Sequence, residues 1–305
     1  MKKISLCVLL SWCFLSFAGL AAPLGQRISI KDDLGDFYIL DDPPKRIISL
    51  APNVTEILFA LGLEKRIVGV TRFCNYPKNA QAITRIGGMI DPDMEKIIDL
   101  HPDLVIAFRG NPLNLVRRLK DLGLPVFVLE AGVTLESVFS LIERIGLVTG
   151  REKPARILID NLHGNLQRIR GRLENIDIRP KIFINLHGKG LWTCGKNSFL
   201  DDLVRKAGGV NISGTVDRAW FNYNREELIQ QNPEYIIVIT RSDKDFQEIF
   251  RWFTQEAHLE GVQAVQNENI HFLEEDLVTR PGPRIFLALE RLARILHPSS
   301  FEAEK

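Results

Sequence analysis

Apolar positions along this chain fall into short continuous runs, separated by stretches whose apolar residues recur at helical spacing. In the first half the runs are Arg46–Leu50, Ile67–Val70, Leu104–Phe108 and Val126–Leu129; in the second they are Ile182–Leu186, Tyr235–Ile239 and Ile270–Leu273. Each has the length of a strand buried on both faces. Between them, Asn53 followed by Glu56 has capping-box spacing and predicts a helix through Leu61 that ends at Gly62. Further helices are predicted from Asp91-Pro92 to Leu100, from Pro112 to Leu122, from Ser198 to Ala207 and from Arg284 to Leu296. Ahead of this alternation, Ile28–Ile30 and Phe37–Leu40 around Asp32–Asp36 read as a hairpin. The fold class is α/β, with mainly parallel sheets covered by helices.

Residues 134–173 carry few strand signals and a long helical period interrupted near Gly150–Pro154. The chain therefore divides into an α/β lobe at 23–149, a connecting helix at 150–175 and a second α/β lobe at 176–305. The halves share a sequence echo. Glu95-Lys-Ile-Ile-Asp-Leu-His-Pro102-Asp-Leu-Val-Ile-Ala returns 131 positions later as Glu226-Glu-Leu-Ile-Gln-Gln-Asn-Pro233-Glu-Tyr-Ile-Ile-Val. Each copy places a glutamate in the first turn of a helix, where the helix dipole favours negative charge.

The first 22 residues change the picture of the whole chain. Lys2 and Lys3 precede an apolar run without a carboxylate, and Ala18-Gly-Leu-Ala-Ala22 supplies small residues for cleavage near Ala21 or Ala22, so residues 1–22 are expected to be an export signal and the product periplasmic. Removing both lysines takes the formal charge from +1 to −1, too small a field to point to nucleic acid. Only Cys74 and Cys194 lie beyond the signal, and they lack metal-site spacing. The six histidines are scattered, and no phosphate-binding glycine loop or nucleophile elbow is present. An enzyme using Cys74 or Cys194 with a histidine remains a reading of a different class, with nothing in the sequence to place a base beside either thiol.

Arg46-Ile-Ile-Ser-Leu-Ala-Pro-Asn-Val-Thr-Glu-Ile-Leu-Phe-Ala-Leu-Gly62, Pro102-Asp-Leu-Val-Ile-Ala and Arg280-Pro-Gly-Pro-Arg284 resemble the helical-backbone class of periplasmic binding proteins that serve ABC importers. The resemblance implies two Rossmann-like α/β lobes joined by a single long helix, with the ligand in the cleft between them, no catalysis and no resident cofactor. Local segments look most like the cobalamin-binding branch. They are Asn75-Tyr76-Pro77, Phe108-Arg109-Gly110, Leu191-Trp192-Thr-Cys-Gly195, Ala219-Trp220 and Asp276 with Arg280. Tyr76, Phe108, Trp192 and Trp220 are the candidates for contact with a corrin face, and Asp276 and Arg280 for hydrogen bonds to its amide rim. In the loop Gly87–Asp91, Met89 stands where cobalamin binders can carry tryptophan, and a thioether adapts to many ligand shapes.

The same resemblance keeps two other ligands open: a ferric siderophore held by Arg72, Arg109 and Arg280, and haem with Tyr76 or His187 as axial ligand. It also implies that Glu95 and Glu226 dock a monomeric protein onto the two copies of a membrane permease. Cys74 and Cys194, placed on opposite walls of the cleft, are expected to be free thiols shielded by ligand.

Overall fold

The structure is a computed structural model that describes residues 28–40, 42–186, 188–255 and 259–304. The expected export signal and His187 lie outside the described residues.

The described part of the chain opens with the expected hairpin, β1 (Ile28–Lys31) and β2 (Phe37–Leu40), paired antiparallel. Asp32 shapes its turn by accepting hydrogen bonds from the Leu34 and Asp36 amides at 2.9 Å. Then follow β3 (Ile47–Ser49), α1 (Pro52–Ala60), β4 (Ile67–Val70), α2 (Met94–Asp99), β5 (Leu104–Phe108), α3 (Leu113–Asp121) and β6 (Val126–Leu129). Their strands form one parallel sheet in the order β4-β3-β5-β6.

Two helices leave this lobe. In α4 (Ser137–Thr149) the end is set by Gly150, whose φ of 66° is a left-handed conformation that glycine adopts without a Cβ penalty. The connector α5 (Glu152–Arg172) follows. It buries Ala155, Leu162 and Ile169, one apolar stripe along a polar helix.

The second lobe contains β7 (Lys181–Leu186), β8 (Trp192–Cys194), α6 (Phe199–Lys206), β9 (Val210–Asn211), β10 (Trp220–Asn222), α7 (Arg225–Gln231) and β11 (Tyr235–Thr240). It closes with α8 (Asp243–Gln255), α9 (Gln263–Gln266), β12 (Ile270–Glu274), α10 (Glu275–Val278) and α11 (Ile285–Leu296). Its parallel sheet runs β9-β7-β11-β12, while β8 and β10 pair antiparallel as a separate ribbon.

The two parallel sheets have the same connectivity: in each, the first strand in sequence is central and the order reads second, first, third, fourth. The echo between halves is thus a structural repeat. Asp93 caps α2 and Asn224 caps α7, so Glu95 and Glu226 both occupy the second helical position. Both helices are followed by a non-glycine residue with positive φ, His101 at 44° and Asn232 at 48°. Asp103 accepts from the Lys45 and Arg46 amides, and its counterpart Glu234 accepts from the Lys181 amide. The side chain of Arg46 donates to the Leu100 carbonyl, and that of Lys181 to the Gln231 carbonyl. These basic side chains satisfy carbonyls left unpaired at the helix ends.

Two helix starts differ from expectation. The first residue of α1 is Pro52, with Ala51 as a cap that has no side-chain hydrogen bond, so Asn53 and Glu56 form no capping box. A proline at the first position already fits an amide that has no helical acceptor, which releases both side chains for the cleft. The second helix begins at Met94 because Asp93 accepts from the Lys96 amide; Asp91 instead pairs with Arg72.

Candidate ligand-binding cleft

The cavity between the lobes is lined mainly by residues at or after the C-terminal ends of parallel strands, where open α/β sheets hold ligands. The cavity measures about 570 Å³. Pro52 and Asn53 follow β3, Arg72 and Phe73 follow β4, and Phe108 and Arg109 end β5, with Met89 and Asn75 from intervening loops. From the second lobe come Arg241 after β11 and Glu274, Glu275, Asp276, Thr279, Arg280 and Pro281 at and after β12.

Met89 is presented by a tight turn. Gly87 has φ of 92°, and a Cβ there would stand 2.7 Å from the Asp91 carbonyl oxygen; one on Gly88 would lie 2.1 Å from the Asp91 carboxylate. A side chain at Gly87 would meet backbone and require the loop to move, whereas one at Gly88 would displace the Asp91 carboxylate and the Arg72 guanidinium that pairs with it. Asn111 ties this turn to the strands. Its Nδ2 donates to the Met89 carbonyl at 2.8 Å and the Leu50 carbonyl at 3.1 Å, and its Oδ1 accepts from the Phe108 amide at 2.8 Å. The first wall includes three apolar side chains, Phe73, Met89 and Phe108.

The second wall is charged, and its charges are balanced. Arg241 makes a two-pronged contact with Glu275 at 3.0 and 3.1 Å, and Arg280 pairs with Asp276 at 2.6 Å. On the first wall Arg72 pairs with Asp91 at 2.9 Å and Arg109 with Glu130. All four arginines lining the cavity are therefore engaged by carboxylates.

The floor of the cleft is a polar latch between the lobes. Glu56 on α1 has a side chain only 2% exposed, and it accepts from Arg284 at 2.6 and 2.9 Å and from Arg280 at 3.3 Å. Asn75 accepts from Arg280 at 2.6 Å and donates to Asp276 at 2.7 Å, while Asn53 donates to the Pro281 carbonyl at 3.3 Å. The Asp276–Arg280 pair is thus part of a cross-lobe network as well as a local contact one helical turn apart.

Of the seven residues singled out as ligand contacts, the structure brings Met89, Phe108, Asp276 and Arg280 to the cavity. Tyr76 does not line it. Its ring, 46% exposed, lies under the Arg284 guanidinium at 3.9 Å. Trp192 packs partly buried against the main core, and Trp220, 42% exposed, meets Phe199 edge-on at 6.2 Å. Both sit on the β8–β10 ribbon outside the cavity lining. Asn53, Glu56, Asn75, Asn111 and Arg284 are not among the ligand contacts expected from the sequence, in which the capping-box spacing gives Asn53 and Glu56 to helix initiation.

The two cysteines are free and fully buried, so the fold shields them without any ligand, contrary to expectation. Cys74 contacts the Thr55 and Thr71 hydroxyls at 3.1 Å. Burial pushes the Cys194 thiol up to about 12, leaving it without thiolate character at neutral pH. Among the described residues no group of three or more histidine, cysteine or carboxylate side chains is placed to hold a metal ion.

Two α/β lobes on a helical connector, with an interlobe cleft at the strand ends, define a two-lobed solute-binding protein. Residues 47–277 match the family model described as "Periplasmic binding protein", and the chain belongs to that family. It is 29% identical over 282 residues to the ABC transporter substrate-binding lipoprotein YvrC of Bacillus subtilis, covering 90% of this chain and 87% of the relative. It is also 29% identical over 256 residues to the vitamin B12-binding protein of Vibrio cholerae, covering 83% and 90%. Among solved structures, a possible iron-binding periplasmic protein from Staphylococcus epidermidis superposes with a TM-score of 0.75 at 28% identity, covering 84% of this chain and all of that one. The family is one of transport proteins of the ABC-importer type. No helix among the described residues is long and apolar enough to cross a membrane.

Proposed function

We propose that this protein captures cobalamin or a related corrinoid in the periplasm, without catalysis, and delivers it to a permease. The observation that carries the reading is the asymmetry of the cleft. Phe73, Met89 and Phe108 give one wall an apolar surface, the facing wall is polar, and each of the four arginines lining the cavity already has a carboxylate partner. A corrinoid offers a broad, largely apolar ring and neutral amides that exchange hydrogen bonds with both members of an ion pair. A highly anionic siderophore calls for surplus cations, which these pairs do not leave. In this reading Met89 and Phe108 lie against the ring, and Asp276 and Arg280 meet the rim. Residues 23–149 and 176–305 serve as the capturing lobes about the 150–175 connector. The B12-binding relative supports the ligand class, and the iron-binding structural neighbour marks the competitor.

In the same reading Glu95 and Glu226, exposed at equivalent positions of α2 and α7, dock the monomeric protein onto the two permease copies. Calorimetric titration of the signal-free protein with cyanocobalamin is expected to show saturable one-to-one binding, with ferric catecholate and haemin as comparisons. Absence of binding to cyanocobalamin beside tight binding of either iron compound would replace the ligand and leave the transport role in place.

A further inference from the structure

The repeat between lobes duplicates a surface as well as a topology. On α2 the exposed Glu95 is followed by the buried Ile97 and the exposed Ile98; on α7 the exposed Glu226 is followed by the buried Leu228 and the exposed Ile229. Ile98 is 41% exposed and Ile229 40%. Residues three apart lie on one helical face, so each lobe presents a carboxylate and an isoleucine side by side.

A single exposed isoleucine is ordinary protein surface. The same exposure at the same register position of both copies is a different matter, because Ile97 and Leu228 already bury each helix against its sheet and nothing in the fold requires a second apolar side chain. Neither glutamate takes part in an ion pair among the described residues; Lys96, beside Glu95, pairs instead with Asp93. Each patch therefore offers an exposed carboxylate with no ion pair among the described residues, next to uncovered hydrocarbon.

We infer that Ile98 and Ile229 are paired apolar anchors for the permease, each inserting into a recess beside the basic group that receives the neighbouring glutamate. This rests on the docking role proposed above for Glu95 and Glu226. The glutamates supply steering and the salt-sensitive part of the affinity, while the isoleucines supply a part that salt does not screen. Because both lobes are engaged at once, each anchor also holds its twin at high effective concentration.

The test uses the ligand-loaded, signal-free protein and the permease–ATPase complex of its importer in nanodiscs, with affinity measured at low and high salt. The Ile98→Ser/Ile229→Ser variant is expected to bind roughly tenfold or more weakly at both salts, with the salt slope, ligand affinity and melting curve of the parent protein. The Glu95→Gln/Glu226→Gln variant is expected to lose affinity at low salt and to flatten the salt slope. If the isoleucine variant binds like the parent while the glutamate variant does not, the apolar anchors are refuted and the charge reading stands. If only the isoleucine variant loses affinity, the anchors stand and the charge reading falls. Parent-like binding by both variants refutes both. Sedimentation of the parent protein alone is expected to show a monomer; a dimer abolished by the isoleucine substitutions would assign the patches to a second copy of this chain and overturn the inference.

Discussion

The orientation of the apolar wall depends on one buried amide. Asn111 is held by three hydrogen bonds, to Leu50, Met89 and Phe108, which belong to three separate segments of the first lobe. Alanine at this position leaves two carbonyls and one amide without partners in a protein interior, at about 1–3 kcal/mol for a buried group left unsatisfied. Asn111→Ala is accordingly expected to lose about 2 kcal/mol of stability and about tenfold in ligand affinity, since both Met89 and Phe108 lose their tether. Urea unfolding and calorimetric titration check the two halves. Parent affinity in a destabilised variant would show that Asn111 serves the fold and not the site. Met89, Phe108, Asp276 and Arg280 were legible in the sequence because each lies at or near a strand end or in the loop beyond. Asn111 was not. It precedes Pro112 in what reads as an ordinary helix entry, and its role comes from carbonyls 61 and 22 positions away.

At the scale of elements, strands buried on both faces announced themselves, and the repeat was visible because its helix, proline and strand keep one register over thirteen residues. The β8–β10 ribbon escaped notice: three-residue strands are shorter than a period-two pattern needs, and they carry Trp192 and Trp220 outside the cavity lining. The capping-box spacing in α1 misled for a physical reason, since a proline start left Glu56 free for a better partner in the other lobe.

Two elements of the second lobe also carry a pH dependence. Burial lowers the pKa of His271 on β12, and that of His297, the cap residue of α11, below the ordinary 6.5, with Arg179 adding to the effect at His297. For a base whose folded pKa is depressed, the unfolded chain binds the proton first. Stability is therefore complete above about pH 6.5 and is lost as the pH falls through the unfolded and then the folded value. The lowered carboxylates Asp36 and Asp93 act only around and below their ordinary 3.8. The urea midpoint is expected to fall between pH 7 and pH 5, and less so in His271→Phe/His297→Gln. Equal slopes in the two proteins would exclude these histidines as the source.

At the scale of the molecule, the question is how two lobes that share one continuous apolar cluster through the connector divide their coupling between that core and the cleft. The connector α5 joins them covalently, and the latch on Glu56 joins them at the cleft floor. Surface ion pairs such as Arg109–Glu130 contribute about 0–1 kcal/mol. The latch differs because Glu56 is enclosed and faces two guanidinium groups from the other lobe, so removing its charge leaves the partly buried Arg280 and Arg284 with less compensation. Glu56→Gln keeps the shape and removes only the charge; a loss of about 3 kcal/mol is expected, against less than about 1 kcal/mol for Arg109→Ala. The chain supplies its own reporter for coupling. Beyond the expected signal all tryptophans, Trp192, Trp220 and Trp252, lie in the second lobe. Tryptophan fluorescence therefore follows that lobe, whereas far-ultraviolet dichroism follows both. In the parent protein the two unfolding curves are expected to coincide, as for one cooperative unit, and in Glu56→Gln to separate. A Glu56→Gln protein within 0.5 kcal/mol of the parent, with coincident curves, would show that the lobes are coupled through α5 and the packing around it, and that the latch is a geometric feature of the cleft with no energetic hold on it.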